Sequence, residues 1–177
     1  MTTRILGFSG SFRQGSLNTA LLETLGDLMP DDVAFSVYDY RDVPLYNSDL
    51  GEPDSVVRLK QAITDADALL FATPEYNHSI PGVLKNAIDW ASRPAYAGPL
   101  TGKRAAMVSA SASFVGGARA QMHLQNILLG MGVQVLPNRD VLVGSAHQRV
   151  EDGRITDAMT LGFLREFVDE FVPWARG

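Results

Sequence analysis

The chain has 177 residues, 46% of them hydrophobic and 20% charged, with a formal net charge of −5; this suits one globular domain with a substantial core and excludes a disordered chain. Mild acidity without a basic run argues against nucleic acid and anionic membranes as partners, because phosphate surfaces are gripped chiefly by clustered Lys and Arg. Cysteine is absent, which removes disulfides, thiolate metal sites and Cys nucleophiles, and the three histidines form no HxH or HExxH pair, so no metal centre is expected.

Along the chain, short apolar runs alternate with amphipathic segments. Residues 5–9 read as a first strand. Leu17, Leu21, Leu22, Leu25 and Leu28 then share one side of a helix that starts near Ser16 and that Pro30 halts. Val33, Phe35 and Val37 alternate with less apolar neighbours, as in a second strand with one face less buried. The loop over 40–53 is rich in Pro, Asp and Tyr and matches no motif. Val56, Leu59, Ile63 and Ala66 mark a second helix, and ALLFAT at 68–73 is an unbroken apolar run suited to a central strand buried on both faces. After a polar loop, Leu84, Ala87, Ile88 and Ala91 define a third helix. Residues 105–110 form a fourth strand, and Gly116 and Gly117 precede a helix carrying Leu124, Ile127, Leu128 and Met131. VQVL at 133–136 gives the fifth strand, and the last helix carries Phe163, Phe167, Val168 and Phe171.

Strict alternation of strand and helix predicts an α/β fold over residues 1–177: a three-layer, doubly wound, parallel five-stranded sheet of the flavodoxin-like order 2-1-3-4-5. Ligands of such sheets sit beyond the carboxyl ends of the strands, where strand order reverses, here between strands one and three. Three unusual loops converge there: 9–18, 74–81 and 109–117. No apolar run approaches the roughly 20 residues of a membrane span, and MTTRILGFSGS lacks the long apolar stretch of a signal peptide, so the sequence reads as cytoplasmic.

SGSFRQGSLN, at 9–18, offers an anion a great deal. A helix N-terminus presents unpaired N–H groups and about half a positive charge. Ser9, Ser11 and Ser16 add hydroxyls, Arg13 a full charge and Asn18 an amide, while Gly10 and Gly15 let the backbone close in. The alternative is that Ser16 simply caps the helix and the rest is solvated turn chemistry. There is no GxxxxGK[ST], no GxGxxG in this turn, and no acidic pair of the kind a receiver domain carries after strand one. PEYNHSIPGVLKNAIDW at 74–90 places Tyr76 and Asn77 at the switch point between stiffening prolines at 74 and 81, a rim suited to a flat heteroaromatic ring. SASASFVGGAR at 109–119 is small and Gly-rich before a helix; it reads either as backbone donors for charge developing on a reduced ring or as close strand–helix packing. His78 reads as a surface residue of its loop, and Met122 and His123 as packing residues of a helix.

GSFRQGSLN, TPEYNHSIPGVLKNAIDW and SASASFVGGAR, in this order and at these distances, together resemble the NAD(P)H-dependent FMN reductases, a family that includes quinone, azo-dye and chromate reductases. The resemblance covers nearly the whole chain and implies a flavodoxin-like fold. It implies an FMN phosphate held by the loop of Ser9, Gly10, Ser11, Arg13, Ser16, Leu17 and Asn18, and an isoalloxazine lined by Pro74, Glu75, Tyr76 and Asn77. Ser109 and Ser111 would reach the pyrimidine side, with the register of the Ser-rich loop open. It further implies NADPH or NADH as electron donor, a small-molecule acceptor, self-association to a dimer or tetramer, and no catalytic side chain of the chain's own. Hydride would pass from reduced nicotinamide to flavin N5 and on to the acceptor in a ping-pong cycle. A flavodoxin-like electron carrier without NAD(P)H turnover is the alternative, and a non-catalytic module of the same fold is a third reading.

Overall fold

The computed structural model describes residues 2–137 and 140–177. Strands β1 (Thr3–Ser9), β2 (Val33–Val37), β3 (Ala68–Ala72), β4 (Arg104–Ala110) and β5 (Gln134–Val135) lie in the order β2-β1-β3-β4-β5, every pairing parallel. This is the expected flavodoxin-like order. The sheet differs from the five-stranded expectation at its far edge, where the fifth position is shared. There β5 pairs with Arg104 and Ala105, and a further strand β6 (Val141–Val143) pairs with Val108 to Ala110. Pro137 follows β5 and has no N–H to offer a ladder, so pairing stops there and VLV resumes it further along β4. A three-residue run is too short to stand out in the sequence.

Helices α1 (Leu17–Leu28) and α5 (Ala158–Arg176) cover one face of the sheet; α2 (Asp54–Asp65), α3 (Gly82–Ala91) and α4 (Ala118–Gly130) cover the other. Side chains alternate across a strand. In β3 accordingly Ala68, Leu70 and Ala72 join the core under α1 and α5, whereas Leu69 and Phe71 join the core under α2, α3 and α4. That two-sided burial is why ALLFA carries no alternation. On the edge strand β2, Val33, Phe35 and Val37 are half-buried and Ala34 and Ser36 exposed, matching the expected uneven faces. In α5, Phe167, Val168 and Phe171 are buried as expected, but Phe163 lies at the surface.

A small hairpin, β7 (Val150–Glu151) and β8 (Arg154–Ile155), was absent from the expected elements. Its turn is Asp152-Gly153 with φ of 47° and 74°, the Asp-Gly pair that a two-residue hairpin turn favours. It docks on α1 through Ile155 N–H donating to Thr24 Oγ1 at 2.9 Å and Arg154 Nε donating to Asp27 at 2.6 Å. Among the described residues no helix is long and apolar enough to cross a membrane, and no cluster of His, Asp or Glu could hold a metal ion.

Candidate functional site

The loops that leave β1, β3 and β4 meet at the carboxyl ends of the strands and enclose an open cleft of about 370 Å³, within the range of small-molecule sites. From the first loop it is lined by Ser11, Arg13, Ser16, Leu17 and Asn18. Ser16 is the N-cap of α1, accepting from Thr19 N–H at 3.2 Å. The N–H groups of Leu17 and Asn18, in the first turn, have no intrahelical acceptor. Ser11 is buried; its Oγ lies 3.4 Å from Tyr76 Oη and accepts from Arg13 N–H at 3.4 Å. The exposed Arg13 guanidinium donates to Gly15 O at 3.1 Å and, among the described residues, pairs with no carboxylate.

Ser9 and Gly10 are not in the lining. Ser9 Oγ is 2.7 Å from Thr19 Oγ1, inside the fold, and Gly10 is the point where the first two loops touch. Gly10 N–H donates to Ala72 O at 2.7 Å, and a Cβ there would stand 3.0 Å from Pro74 Cδ. Asn18, 2% exposed, forms a closed pair with the end of β4: its Nδ2 donates to Ala110 O at 2.9 Å and its Oδ1 accepts from Ala110 N–H at 2.9 Å. The amide expected to serve an anion is thus engaged in joining the first loop to the third.

Pro74, Glu75 and Tyr76 line the cleft from the second loop. Beyond them Tyr76 and Ser79 exchange hydrogen bonds of 3.0 and 3.1 Å, with Asn77 and His78 between them at φ of 50° and 66°. This is a two-residue turn with both central residues left-handed, a conformation Asn tolerates better than most residues. It leaves Tyr76 half exposed as the cleft's aromatic wall, and it turns Asn77 out to solvent, away from the lining. Glu75 points instead at the start of α4. One carboxylate oxygen accepts from Arg119 N–H at 3.1 Å, the other from Arg119 Nη1 at 3.1 Å, and His78 Nδ1 is 3.6 Å away. Burial raises the affinity of this carboxyl for its proton, but the bonds from the Arg119 side chain and from the N–H groups of Arg119 and Ala120 outweigh it and hold its pKa below the ordinary range.

In the third loop, Ala110, Ser111 and Ala112 line the cleft and Ser109 does not. Ser109 is fully buried, donating to Gly116 O at 2.5 Å and accepting from Gln121 Nε2 at 2.7 Å, and Gln121 also donates to Val141 O at 2.7 Å. Gly117, at φ 94°, opens α4; a Cβ there would come within 3.0 Å of Ser109. Met122 and His123, expected to pack, are exposed, because Ala120, Leu124 and Leu128 take the buried side of α4. His123 Nδ1 lies 3.0 Å from Ser79 Oγ.

Two supports of the site carry no motif. Tyr40, from the loop over 40–53, is 2% exposed, donates its hydroxyl to Ser9 O at 2.5 Å and packs against Phe8 and Phe12. Burial pushes its phenol pKa well above the ordinary value. Trp90 anchors the same loop by donating to Pro44 O at 2.8 Å.

Residues 3–148 match the family model described as NADPH-dependent FMN reductase. The chain is 44% identical over 177 residues to an NAD(P)H-dependent FMN reductase of Pseudomonas aeruginosa, covering 98% of this chain and 95% of the relative. It is 36% identical over 179 residues to a 2-hydroxy-1,4-benzoquinone reductase of Burkholderia sp, covering 99% and 98%. Among solved structures it is similar to FerB, a flavoenzyme NAD(P)H:(acceptor) oxidoreductase of Paracoccus denitrificans, with a TM-score of 0.90 and 40% identity over 99% of this chain and 98% of that one. With a family model spanning most of its length and these relatives aligned nearly end to end, the chain belongs to the NADPH-dependent FMN reductase family.

Proposed function

We propose that the chain is one flavodoxin-like FMN-binding domain and works as an NAD(P)H-dependent oxidoreductase that delivers electrons to quinones. The observation that carries this reading is the cleft at the switch point. One end has the Arg13 guanidinium, which meets no carboxylate among the described residues, with Ser11 and Ser16 hydroxyls and the capped start of a helix; further along lie an exposed aromatic wall and small residues. These are donors for a phosphate and room for a flat ring, so the residues present fit FMN. Arg13, Ser11, Ser16 and the N–H groups of Leu17 and Asn18 would hold the phosphate. Pro74, Tyr76 and Ser111 would bound the ring. Ser9, Gly10, Asn18 and Ser109 would act one step back, fixing the loops that carry these groups.

When bound, FMN supplies two-electron chemistry, taking hydride from reduced nicotinamide and giving electrons to an acceptor that follows on the same face, in ping-pong order. The chain's own part is to anchor, to orient and to leave one face open. Relatives are named for quinones, which favours a quinone over azo dyes or chromate as acceptor. A cytoplasmic location and assembly into a dimer or tetramer belong to the same reading. The test is titration of the apo-protein with FMN followed by steady-state NADPH oxidation with a benzoquinone. Saturable binding with quinone-dependent turnover is expected. FMN binding without NADPH oxidation would make the chain an electron carrier, and no binding would remove the reading.

A further inference from the structure

We propose that Glu75 and Arg119 form a charge pair that sets the reduction potential of the flavin held in the cleft, with Glu75 also neutralising the positive end of α4. This rests on the FMN reading above. It starts from an oddity of α4. Its N-cap Gly117 makes no side-chain hydrogen bond and its first turn contains no acidic residue, so nothing local answers its unpaired N–H groups. Such an end carries roughly half a positive charge, and Arg119 adds a full one in the same turn. The answer comes from 44 residues away, where Glu75 receives both the Arg119 N–H and the guanidinium at 3.1 Å.

The position of Glu75 makes the pair matter for the cleft. Its side chain is only 14% exposed although that of Arg119 is 55% exposed, so water screens the carboxylate less than the guanidinium, and Glu75 itself lines the cleft whereas Arg119 does not. The exposed His78 also faces it, with Nδ1 at 3.6 Å. A cofactor that gains negative charge on reduction is disfavoured by a nearby carboxylate and favoured by a nearby guanidinium. Paired, the two largely cancel. The start of α4 behind the third loop is therefore answered by Glu75 and does not face the ring as an uncompensated positive end.

The experiment is a spectroscopic redox titration, against a reference dye, of FMN bound to the full chain, to Glu75→Gln and to Arg119→Met. Gln keeps an oxygen for the Arg119 N–H but removes the charge. Glu75→Gln is expected to move the potential in the positive direction, Arg119→Met in the negative direction, and the double variant back toward the parent. A merely structural role would move both single variants the same way or neither, and either result overturns the proposal. Should Arg119→Met not hold flavin, Arg119→Gln and the sign of the Glu75→Gln shift decide it. Failure of the FMN reading is recognised separately, because the parent chain would then bind no FMN at all.

Discussion

The loop after β1 and the loop after β4 are both built from serine and glycine, yet they spend these residues differently. In the first, Ser11 and Ser16 stay in the cleft lining and the helix behind them is capped by its own Ser16. In the third, Ser109 is consumed inside the fold by Gly116 and Gln121, only Ser111 reaches the cleft, and the helix behind is capped from another loop by Glu75. The first loop thus keeps its hydroxyls open to the cleft, as the phosphate seat proposed above requires, and the third is a braced wall. Similar composition says little about which hydroxyls are free. What decides is whether the neighbouring backbone already claims them.

The largest effect should come from emptying the seat. Arg13→Ala with Ser16→Ala should weaken FMN binding by on the order of 100-fold or more, since each charge-assisted bond contributes about 1.5–3 kcal/mol and every 1.4 kcal/mol is about tenfold. Fluorescence titration measures it, and an unchanged affinity would end the phosphate assignment. Next, Asn18→Ala should cut the tie between the two loops. It strands the N–H and carbonyl of Ala110 in a buried place and should lower stability by on the order of 3 kcal/mol in urea unfolding of the apo-protein.

The contrast sharpens within the third loop itself. Ser109→Ala leaves Gly116 O without its donor and Gln121 Nε2 with only its bond to Val141 O, and should cost about 1–3 kcal/mol of stability. Ser111→Ala, at a half-buried position where Ser111 Oγ bonds to the exposed Ser113, accepting from its N–H at 3.1 Å, should cost less stability, on the order of 0.5–1 kcal/mol, and instead weaken FMN binding. Unfolding and FMN titration of the two variants, side by side, would show the costs falling on different axes. The smallest effect is acid-linked. The Glu75 carboxyl titrates below its ordinary value in the folded chain, so its contribution to stability is present above the unfolded pKa and fades as pH falls through the folded one. Urea midpoints at neutral and acidic pH should therefore diverge less in Arg119→Met than in the parent.

The sheet order, the two-sided burial of β3 and the capping role of Ser16 were legible because periodicity and cap chemistry are local. That Ser11, Arg13, Ser16, Leu17 and Asn18 line the cleft was legible for the same reason. What the sequence could not display are bonds closed over long separations. Asn18 reaches Ala110 across 92 residues, Tyr40 reaches Ser9 across 31 and Glu75 reaches Arg119 across 44. Each gives a candidate ligand or an anonymous loop residue a bracing bond that no motif announces. β6 escaped because three residues carry too little pattern, whereas the Asp152-Gly153 hairpin turn carried a readable signal.

The central claim is that reduced nicotinamide and the flavin meet in this cleft, and the most direct measurement is anaerobic addition of NADPH to the FMN-loaded chain, followed in the visible spectrum. The yellow absorption should bleach on NADPH and return when a benzoquinone is added after removal of the oxidised nucleotide. A protein that stays yellow under NADPH, yet bleaches with a chemical reductant, would contradict the account and identify an electron carrier.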